Sequence, residues 1–317
     1  MILVLTNSTD GTSDYLCRRL NREGVGYVRI DTDSLIERCC LKWVNSKAQM
    51  KLGSKAVYAQ EVTGVWLRRP TAPRLPGAES AVKCHAAYEW AEAIEGFLAH
   101  IPCNRWINHP SANAGASHKL EQLSRAKRFG FNIPRTIVTQ KPEAALRFWN
   151  DLKGEVVVKP LASGYIEERR KRDDSLIYTS KVGPAEIGRA DLIRKCPTLF
   201  QELIQKCSDV RVVSLDGEIT AVELTAQDAD GRQRLDIRRR EMSGVRYRVC
   251  SIPKKTQRRI KSLLKSYGLR FGAVDFGVDK KGNWIFFEIN PNGQWAWLDL
   301  EAGTDIAAIF TKTFKRR

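Results

Sequence analysis

The sequence predicts an α/β fold that becomes α+β in its later part. Short apolar strand patterns alternate with amphipathic helix patterns over about the first hundred residues, and strand patterns dominate after residue 199. The chain has 317 residues, of which 43% are hydrophobic and 28% are charged. That length and composition are typical of a globular protein of about two domains with a large core.

The first part of the chain predicts a parallel sheet covered by helices. The apolar run Ile2–Thr6 leads into a turn, and a helical stretch follows from Ser13 until Gly24. Apolar residues recur at three- and four-residue steps from Ala81 to Leu98, which is the stripe of an amphipathic helix. Strands are also expected at Tyr27–Asp31, at Val62–Leu67 and from Trp106 to Pro110.

The middle of the chain predicts two further helices and a charged hairpin. A helix over 114–129 ends at Gly130, and a second covers Pro142–Asn150 after a strand at Arg135–Thr139. The strands Glu155–Lys159 and Leu176–Ser180 are expected to form a hairpin whose tip is the charged run 167–174.

The last part predicts mainly antiparallel strands. A basic helix covers Lys254–Tyr267, and a final helix runs from Glu301 to the end. The turn Asp279–Gly282 joins two strands of a hairpin. The expected strands are Leu199–Leu203, Asp209–Leu215, Ile219–Thr225, Arg234–Arg239, Phe271–Val278 and Asn283–Asn290.

The net charge of +17 favours an anionic partner. Nucleic acid, an acidic membrane, nucleotide phosphates and an acidic peptide all remain open on charge alone. No apolar run is long enough to span a membrane, and the N-terminal run lacks the features of a signal peptide, so a cytoplasmic protein is expected. The eight cysteines form no CxxC pair and the four histidines form no HxxxH pair, which argues against a zinc site.

The hairpin near the C-terminus carries the most informative side chains. Because side chains alternate along a strand, Glu288 and Asn290 should share one face while Phe287 points to the other. A two-residue turn would pair Asp275 with Phe286, which places Asp275 diagonally from Glu288. Two carboxylates and an amide oxygen on one face suit Mg²⁺, so Asp275, Glu288 and Asn290 are predicted metal ligands.

Two lysines are candidates for binding phosphate. Lys159 closes a strand and precedes the turn Ser163-Gly164, where a point charge can meet phosphate oxygens. Lys119 stands on the helix that follows the loop at Pro110 and is a weaker candidate by itself.

Taken in chain order, these pieces resemble the ATP-grasp superfamily over about two thirds of the chain. The resemblance implies ATP and Mg²⁺, with two ions, as cofactors. It implies that the phosphates contact Lys119 and Lys159 beside the Ser163-Gly164 loop. It implies a nucleotide-binding role for Asp209 and for the adenine hinge, whose residues are Gln201, Glu202, Leu203 and Ile204.

A narrower resemblance is to the graspetide, or microviridin-type, peptide macrocyclases. It is carried by the segments Val65–Pro70 and Asn290–Trp297 and by two Asp-x-Arg steps that end at Arg211 and Arg238. It implies a pre-ATP-grasp α/β domain over 1–112, a central ATP-grasp lid subdomain over 113–197 and a C-terminal ATP-grasp subdomain with the Mg²⁺ site over 198–317.

Such enzymes activate Asp or Glu side chains of a precursor peptide with ATP and join them to Ser, Thr or Lys side chains as ω-esters or ω-amides. The resemblance therefore implies an acyl-phosphate intermediate, with Arg211 and Arg238 holding the substrate carboxylate or the oxyanion. The implied partner is an acidic precursor peptide with leader and core, and the leader is expected at 167–195. A homodimer is an open alternative to a monomer.

Two other functions remain open on the sequence. A related ligase could join a small amino acid to a free carboxylate, as glutathione-synthetase-like and glutamate-adding enzymes do. A non-catalytic, basic nucleic-acid-binding protein is the alternative of another class, which the missing helix-turn-helix, zinc-finger and RNP motifs disfavour.

Overall fold

A parallel sheet forms the beginning of the chain in the computed structural model, which describes residues 1–36, 38–72, 75, 80–162, 164–166 and 175–316. The sheet has the strand order β2–β1–β6–β7, as the alternating pattern predicts. Strands β3, β4 and β5 pair separately as an antiparallel meander. The elements are β1 (Ile2–Thr6), α1 (Gly11–Arg22), β2 (Tyr27–Asp31), β3 (Cys39–Val44), β4 (Lys47–Leu52), β5 (Lys55–Tyr58), β6 (Gly64–Leu67), α2 (Ala81–Ala99) and β7 (Trp106–Ile107).

The middle of the chain forms a small antiparallel sheet with the strand order β12–β9–β13–β8. The predicted boundary at residue 198 falls just before β13, which pairs with both β8 and β9 of this sheet. The elements are α3 (Pro110–Gly115), α4 (Lys119–Arg128), β8 (Thr136–Thr139), α5 (Pro142–Asp151), β9 (Val156–Lys159), β10 (Tyr165–Ile166), β11 (Ser175–Leu176), β12 (Ser180–Lys181), α6 (Pro184–Ile187), α7 (Ala190–Ile193) and β13 (Thr198–Glu202).

The last part of the chain is a five-stranded antiparallel sheet with the order β16–β15–β14–β17–β18. The three central strands pair over long stretches, so the residues of β14 and β17 stand in fixed register. The elements are β14 (Lys206–Leu215), β15 (Glu218–Thr225), β16 (Arg246–Val249), α8 (Lys254–Ser266), β17 (Phe271–Asp279), β18 (Trp284–Asn290), α9 (Ala296–Ala302) and α10 (Ile306–Lys315).

One hydrophobic core joins the beginning of the chain to its end. Side chains of β1 and α1 pack with those of β14, β17, α9 and α10. Trp295 stacks on Phe310 with ring centroids 4.9 Å apart, and the ring of Trp66 lies 5.0 Å from Phe310. The N-terminal sheet therefore shares its core with the C-terminal helices. Within the described residues, no helix combines the length and the apolar character needed to cross a bilayer.

Four predicted elements differ in the structure. The predicted strand Leu176–Ser180 is divided between β11, which pairs with β10, and β12, which pairs with β9. The segment predicted as the strand Arg234–Arg239 is irregular, because the buried Arg234 donates to the backbone carbonyls of Arg239 and Ser243 and holds them in a loop. The predicted final helix is two helices, since Gly303 (φ 66°) ends α9 in the left-handed conformation. The predicted helix over 114–129 is likewise divided between α3 and α4.

Candidate active site

A cavity of about 710 Å³ lies between the central and C-terminal sheets and collects the predicted site residues. Its lining includes residues of β9, β13, β14, β17 and β18. Ser163 lies outside the described residues, as does the predicted charged tip over 167–174. The other predicted residues all line the cavity: Lys119, Lys159, Gly164, Gln201, Glu202, Leu203, Ile204, Asp209, Arg211, Arg238, Asp275, Glu288 and Asn290.

The three predicted metal ligands meet through a register that differs from the expected one. Asp275 pairs directly with Glu288, whereas a two-residue turn would have paired it with Phe286. The expected pairing is wrong because the turn is one residue longer, with the Asp279 amide bonded to the Asn283 carbonyl, and because a bulge shifts the register of β18. Both shifts bring Glu288 opposite Asp275.

The amide of Asn290 lies between the two carboxylates. Its Nδ2 donates to Asp275 Oδ2 at 3.1 Å and to Glu288 Oε1 at 3.3 Å. Burial raises the pKa of Asp275 to about 6, with the Arg211 cation opposing the rise and the Glu288 carboxylate adding to it. A divalent cation would relieve this crowding of negative charge, so the two carboxylates fit Mg²⁺, and the Asn290 amide fits it once its oxygen takes the place of Nδ2. No cluster of three His, Cys, Asp or Glu side chains suited to a metal occurs in the described part of the chain.

Two lysines bring positive charge to the same end of the cavity. The Nζ of Lys119 lies 3.7 Å from Glu288 Oε2 and donates to the Pro160 carbonyl at 2.7 Å. The Nζ of Lys159 donates to Gln201 Oε1 at 2.9 Å. Burial, more than the neighbouring charges, lowers the pKa of Lys159 to about 8. An anion that met both ammonium groups would relieve this cost of burying charge.

Phe287 lines the cavity, although strict alternation predicted it on the opposite face. The bulge turns its ring under Lys159, whose Nζ lies 4.6 Å from the ring centroid. Gly277 leaves the space that this ring needs, because a Cβ there would lie 2.7 Å from the ring atom Cζ. Ile289 and Phe286 pack in the core, as the alternation predicts for Ile289.

The predicted adenine hinge follows β13 directly. The Leu203 amide donates to the Glu155 carbonyl at 2.9 Å, while the Ile204 amide has no backbone acceptor in the described residues. The Glu202 side chain accepts from the Arg135 amide and is thereby held at the end of β8. The Ile204 amide is therefore available to a planar heterocycle, whereas its carbonyl already accepts from the Lys206 amide at 2.9 Å.

The two predicted substrate arginines are held by acidic partners. Arg211 Nε lies 2.8 Å from Asp275 Oδ1, and its guanidinium carbon is 5.9 Å from the Trp297 ring centroid. Arg238 donates Nε and Nη2 to the two oxygens of Asp236 at 2.9 and 2.7 Å. Burial opposes ionisation of Asp236, but the bonds from Arg238 outweigh it and lower the pKa of Asp236 to about 2. Both arginines are thus fixed in orientation at the cavity wall.

Sequence reasoning missed Lys206 and Arg68. Lys206 lines the cavity, donates to Asp209 Oδ1 at 2.6 Å, and stands three residues before Asp209, a spacing that could have indicated the pair. Arg68 was noted only within a motif. It is 1% exposed, lies 3.4 Å from Asp10, and donates to the carbonyl of Asn292 beside the metal-site residue Asn290.

Comparison with known proteins agrees with this geometry. The family model of the MvdD pre-ATP grasp domain matches residues 1–114. The macrocyclase MdnC from Microcystis aeruginosa MRC, solved with the precursor peptide MdnA, is 24% identical with a TM-score of 0.87, and the match covers 100% of this chain and 99% of MdnC. The macrocyclase MdnB of the same organism is 26% identical with a TM-score of 0.80, covering 99% and 98%. This chain is an ATP-grasp ligase, and its first 114 residues match the MvdD pre-ATP grasp domain.

A third similar structure extends the comparison beyond Microcystis. A RiPP-associated ATP-grasp ligase from Chryseobacterium gregarium, solved with ADP and with leader and core peptides, is 24% identical to this ligase with a TM-score of 0.84. The match covers 99% of this chain and 95% of the other. No curated protein sequence matches the ligase. The pre-ATP-grasp domain and the ATP-grasp fold together account for the full length of the chain.

Proposed function

We propose that this ligase activates Asp or Glu side chains of a precursor peptide as acyl phosphates and joins them to Ser, Thr or Lys side chains as macrocycles. The observation that carries the proposal is the convergence of Asp275, Glu288 and Asn290 in the cavity that also holds Lys119 and Lys159. A carboxylate is a poor electrophile, and transfer of a phosphoryl group to it requires neutralised charge and alignment. The cavity supplies both.

Different residues of the cavity would bind the nucleotide and the substrate peptide. Lys119 and Lys159 would hold the transferred phosphoryl oxygens, and the Ile204 backbone would hold adenine. Arg211 would orient the substrate carboxylate and stabilise the oxyanion that forms when the acyl phosphate is attacked. Arg238, fixed by Asp236, would hold the peptide at the opposite wall.

Mg²⁺ is proposed at Asp275, Glu288 and Asn290, where it would neutralise phosphate charge during the transfer. The ATP-grasp ligase PsnB, which is 20% identical with a TM-score of 0.76, was solved with Mg and ADP. The three side chains offer more oxygen atoms than one Mg²⁺ takes from protein when water and phosphate complete its shell, so two ions are proposed.

The peptide is proposed to be acidic, with leader and core. A net charge of +17 would steer such a peptide toward the basic cavity. A second copy of the chain is proposed as the partner of α2, where Val82 and Tyr88 are 77% and 74% exposed. Light scattering in solution would give twice the monomer mass, and a monomer mass would contradict this homodimer.

The function is tested with the precursor peptide encoded beside the gene of the ligase. With ATP and Mg²⁺, the ligase should release ADP only when the peptide is present, and the peptide should lose one water per bond by mass spectrometry. The double variant Glu288→Ala, Asn290→Ala should form no ADP. Asp279→Asn, which changes the exposed turn of the same hairpin away from the cavity, is the matched control.

Three results would contradict the proposal. ATP turnover that survived the double substitution would contradict the assignment of Glu288 and Asn290 as metal ligands. A product heavier by one amino acid would favour the ligase of small amino acids. Tight, salt-sensitive binding of nucleic acid without any ATP-dependent product would favour the binding protein.

A further inference from the structure

Glu301 is the carboxylate of the cavity that has no partner among the described residues. It is exposed, and no ion pair joins it to Arg69, which also lines the cavity. The other acidic residues of the lining are all held: Glu202 by the Arg135 amide, Asp209 by Lys206, Asp236 by Arg238, Asp275 by Arg211 and Glu288 by Lys119. A free carboxylate in a basic cavity is available to a cation.

Two aromatic rings flank Glu301. Trp297 precedes it by four residues on α9, so the two side chains share one face of the helix. Tyr247 lies on β16 with its ring centroid 5.7 Å from that of Trp297. Burial raises the pKa of Tyr247, and the charge of Glu301 adds to that rise, which indicates that the phenol and the carboxylate are close.

This group continues directly into the end of the cavity where the acyl phosphate would form. The guanidinium of Arg211 lies 5.9 Å from the Trp297 ring centroid on one side, and its Nε contacts Asp275 at 2.8 Å on the other. A nucleophile bound between Trp297 and Glu301 would therefore approach the activated carboxyl group from beyond Arg211.

The chemistry of the group matches an organic ammonium ion. A carboxylate pairs with the charge, and the faces of Trp and Tyr rings attract cations. A Ser or Thr hydroxyl carries no charge and would gain little from either feature. We propose that Glu301, Trp297 and Tyr247 form an acceptor subsite for the ε-ammonium group of a lysine, so that this ligase forms ω-amides in preference to ω-esters. The inference rests on the proposed function.

In the bond-forming step, the acceptor nitrogen replaces phosphate on the activated carboxyl group. ATP phosphorylates the donor carboxylate and leaves as ADP. The lysine ammonium gives up a proton, and its nitrogen lone pair attacks the acyl carbon, so that the C–N bond forms and the C–O bond to phosphate breaks. Inorganic phosphate leaves, the amide nitrogen loses a second proton, and of the two protons one is carried by the phosphate and the other passes to water. The peptide is lighter by one water.

The experiment uses two versions of the precursor peptide encoded beside the gene. Each keeps a single donor Glu, and its single acceptor position carries either Lys or Thr. A parallel reaction contains hydroxylamine, a neutral nucleophile that converts the acyl phosphate into a hydroxamate without needing a site for a cation. We expect the wild-type ligase to close the Lys peptide at least about tenfold faster than the Thr peptide.

Substitution of Glu301 should slow ring closure of the Lys peptide more than it slows hydroxamate formation. Glu301→Gln keeps the shape of the side chain and removes its charge, so it should lower the ratio of amide to hydroxamate about tenfold and raise the KM of the Lys peptide more than it lowers kcat. Glu301→Asp should restore part of the ratio. Glu218→Gln, which removes an exposed carboxylate paired with Lys312 on the far side of β15, is the matched control and should keep the wild-type ratio.

The outcomes separate the two proposals. Equal rates for the Lys and Thr peptides, or an equal loss of amide and hydroxamate in Glu301→Gln, would overturn the acceptor subsite and leave the ligase function standing. If the wild-type ligase formed neither ADP nor hydroxamate with either peptide, the proposed function itself would fall.

Discussion

The ammonium group of Lys159 lies in an environment that disfavours its positive charge until an anion arrives. Its Nζ contacts the Gln201 amide oxygen and the face of Phe287, and no carboxylate forms an ion pair with it in the described structure. Burial accordingly lowers the pKa of Lys159 to about 8 from 10.5. Bound triphosphate would raise this pKa again, so ATP binding and protonation of Lys159 are coupled.

ATP affinity should therefore fall as pH rises. Above about pH 8 the empty ligase loses the Lys159 proton, so the dissociation constant of ATP should rise by up to about tenfold per pH unit. Isothermal titration between pH 7 and 9.5 measures this. Lys159→Arg keeps its charge and should flatten the profile, whereas an unchanged slope in that variant would assign the titration to another group.

Lys159 should also make the free energy of unfolding depend on pH, but this quantity should rise with pH whereas ATP affinity falls. Between about pH 8 and 10.5 the unfolded lysine keeps its proton while the folded one has lost it. The unfolded state then binds more protons, so the contribution of Lys159 to the free energy of unfolding should increase with pH in this window. Urea denaturation of the wild type and of Lys159→Met at several pH values measures this contribution. The difference between their free energies of unfolding should change with pH.

At the scale of elements, the β17–β18 hairpin builds the site through its bulge. Without the extra residue, the side chain beneath Lys159 and the partner of Asp275 would both change. Gly277 makes this arrangement possible, because it is the residue of β17 over which the Phe287 ring lies. The bulge and the glycine together let adjacent residues of β18 face one cavity.

Gly277→Ala should damage the site from within the sheet. The new Cβ would meet Phe287 Cζ at 2.7 Å and Cε2 at 2.9 Å, so the ring must move. We expect a loss of about 1–3 kcal/mol in the free energy of unfolding and weaker ATP binding. Gly96→Ala is the control, since a Cβ on that helix meets nothing within 4 Å and should stabilise by about 0.5–1 kcal/mol. Unchanged ATP affinity in Gly277→Ala would contradict the role of the ring.

Most elements and the residues of the site could be predicted from patterns of local sequence. Alternation placed Glu288 and Asn290 on one face, and the apolar runs located the strands of the three main sheets except β16. The register of Asp275 and the direction of Phe287 could not be predicted, because they depend on turn length and a bulge that leave no periodic signal. The meander β3–β5 was missed since its lysine-rich strands show only short apolar runs.

At the scale of the molecule, Arg68 links the N-terminal sheet to the metal-site segment. It stands at the end of β6, pairs with the buried Asp10 and donates to the Asn292 carbonyl. Asn113 donates to the Asn292 side chain as well. The segment after Asn290 is thus held by Arg68 of the first domain, whose proposed limit is residue 112, and by Asn113 just beyond that limit.

Arg68→Met should destabilise the ligase by about 3–5 kcal/mol, because it leaves Asp10 buried without its cation. The double variant Asp10→Asn, Arg68→Met removes that uncompensated charge and should recover at least about 1 kcal/mol. Urea denaturation of the two single variants and the double variant completes the cycle. Additive losses would show that the two side chains do not interact.

The shared core of α1, α9 and α10 has a consequence for biosynthesis. While the nascent chain is still on the ribosome, the first sheet emerges long before the helices that cover Leu16, Leu20 and Trp66. That apolar face stays exposed, or is shielded by a chaperone, until α9 and α10 have been translated. The N-terminal sheet is therefore expected to reach its final packing only after α9 and α10 have emerged from the ribosome.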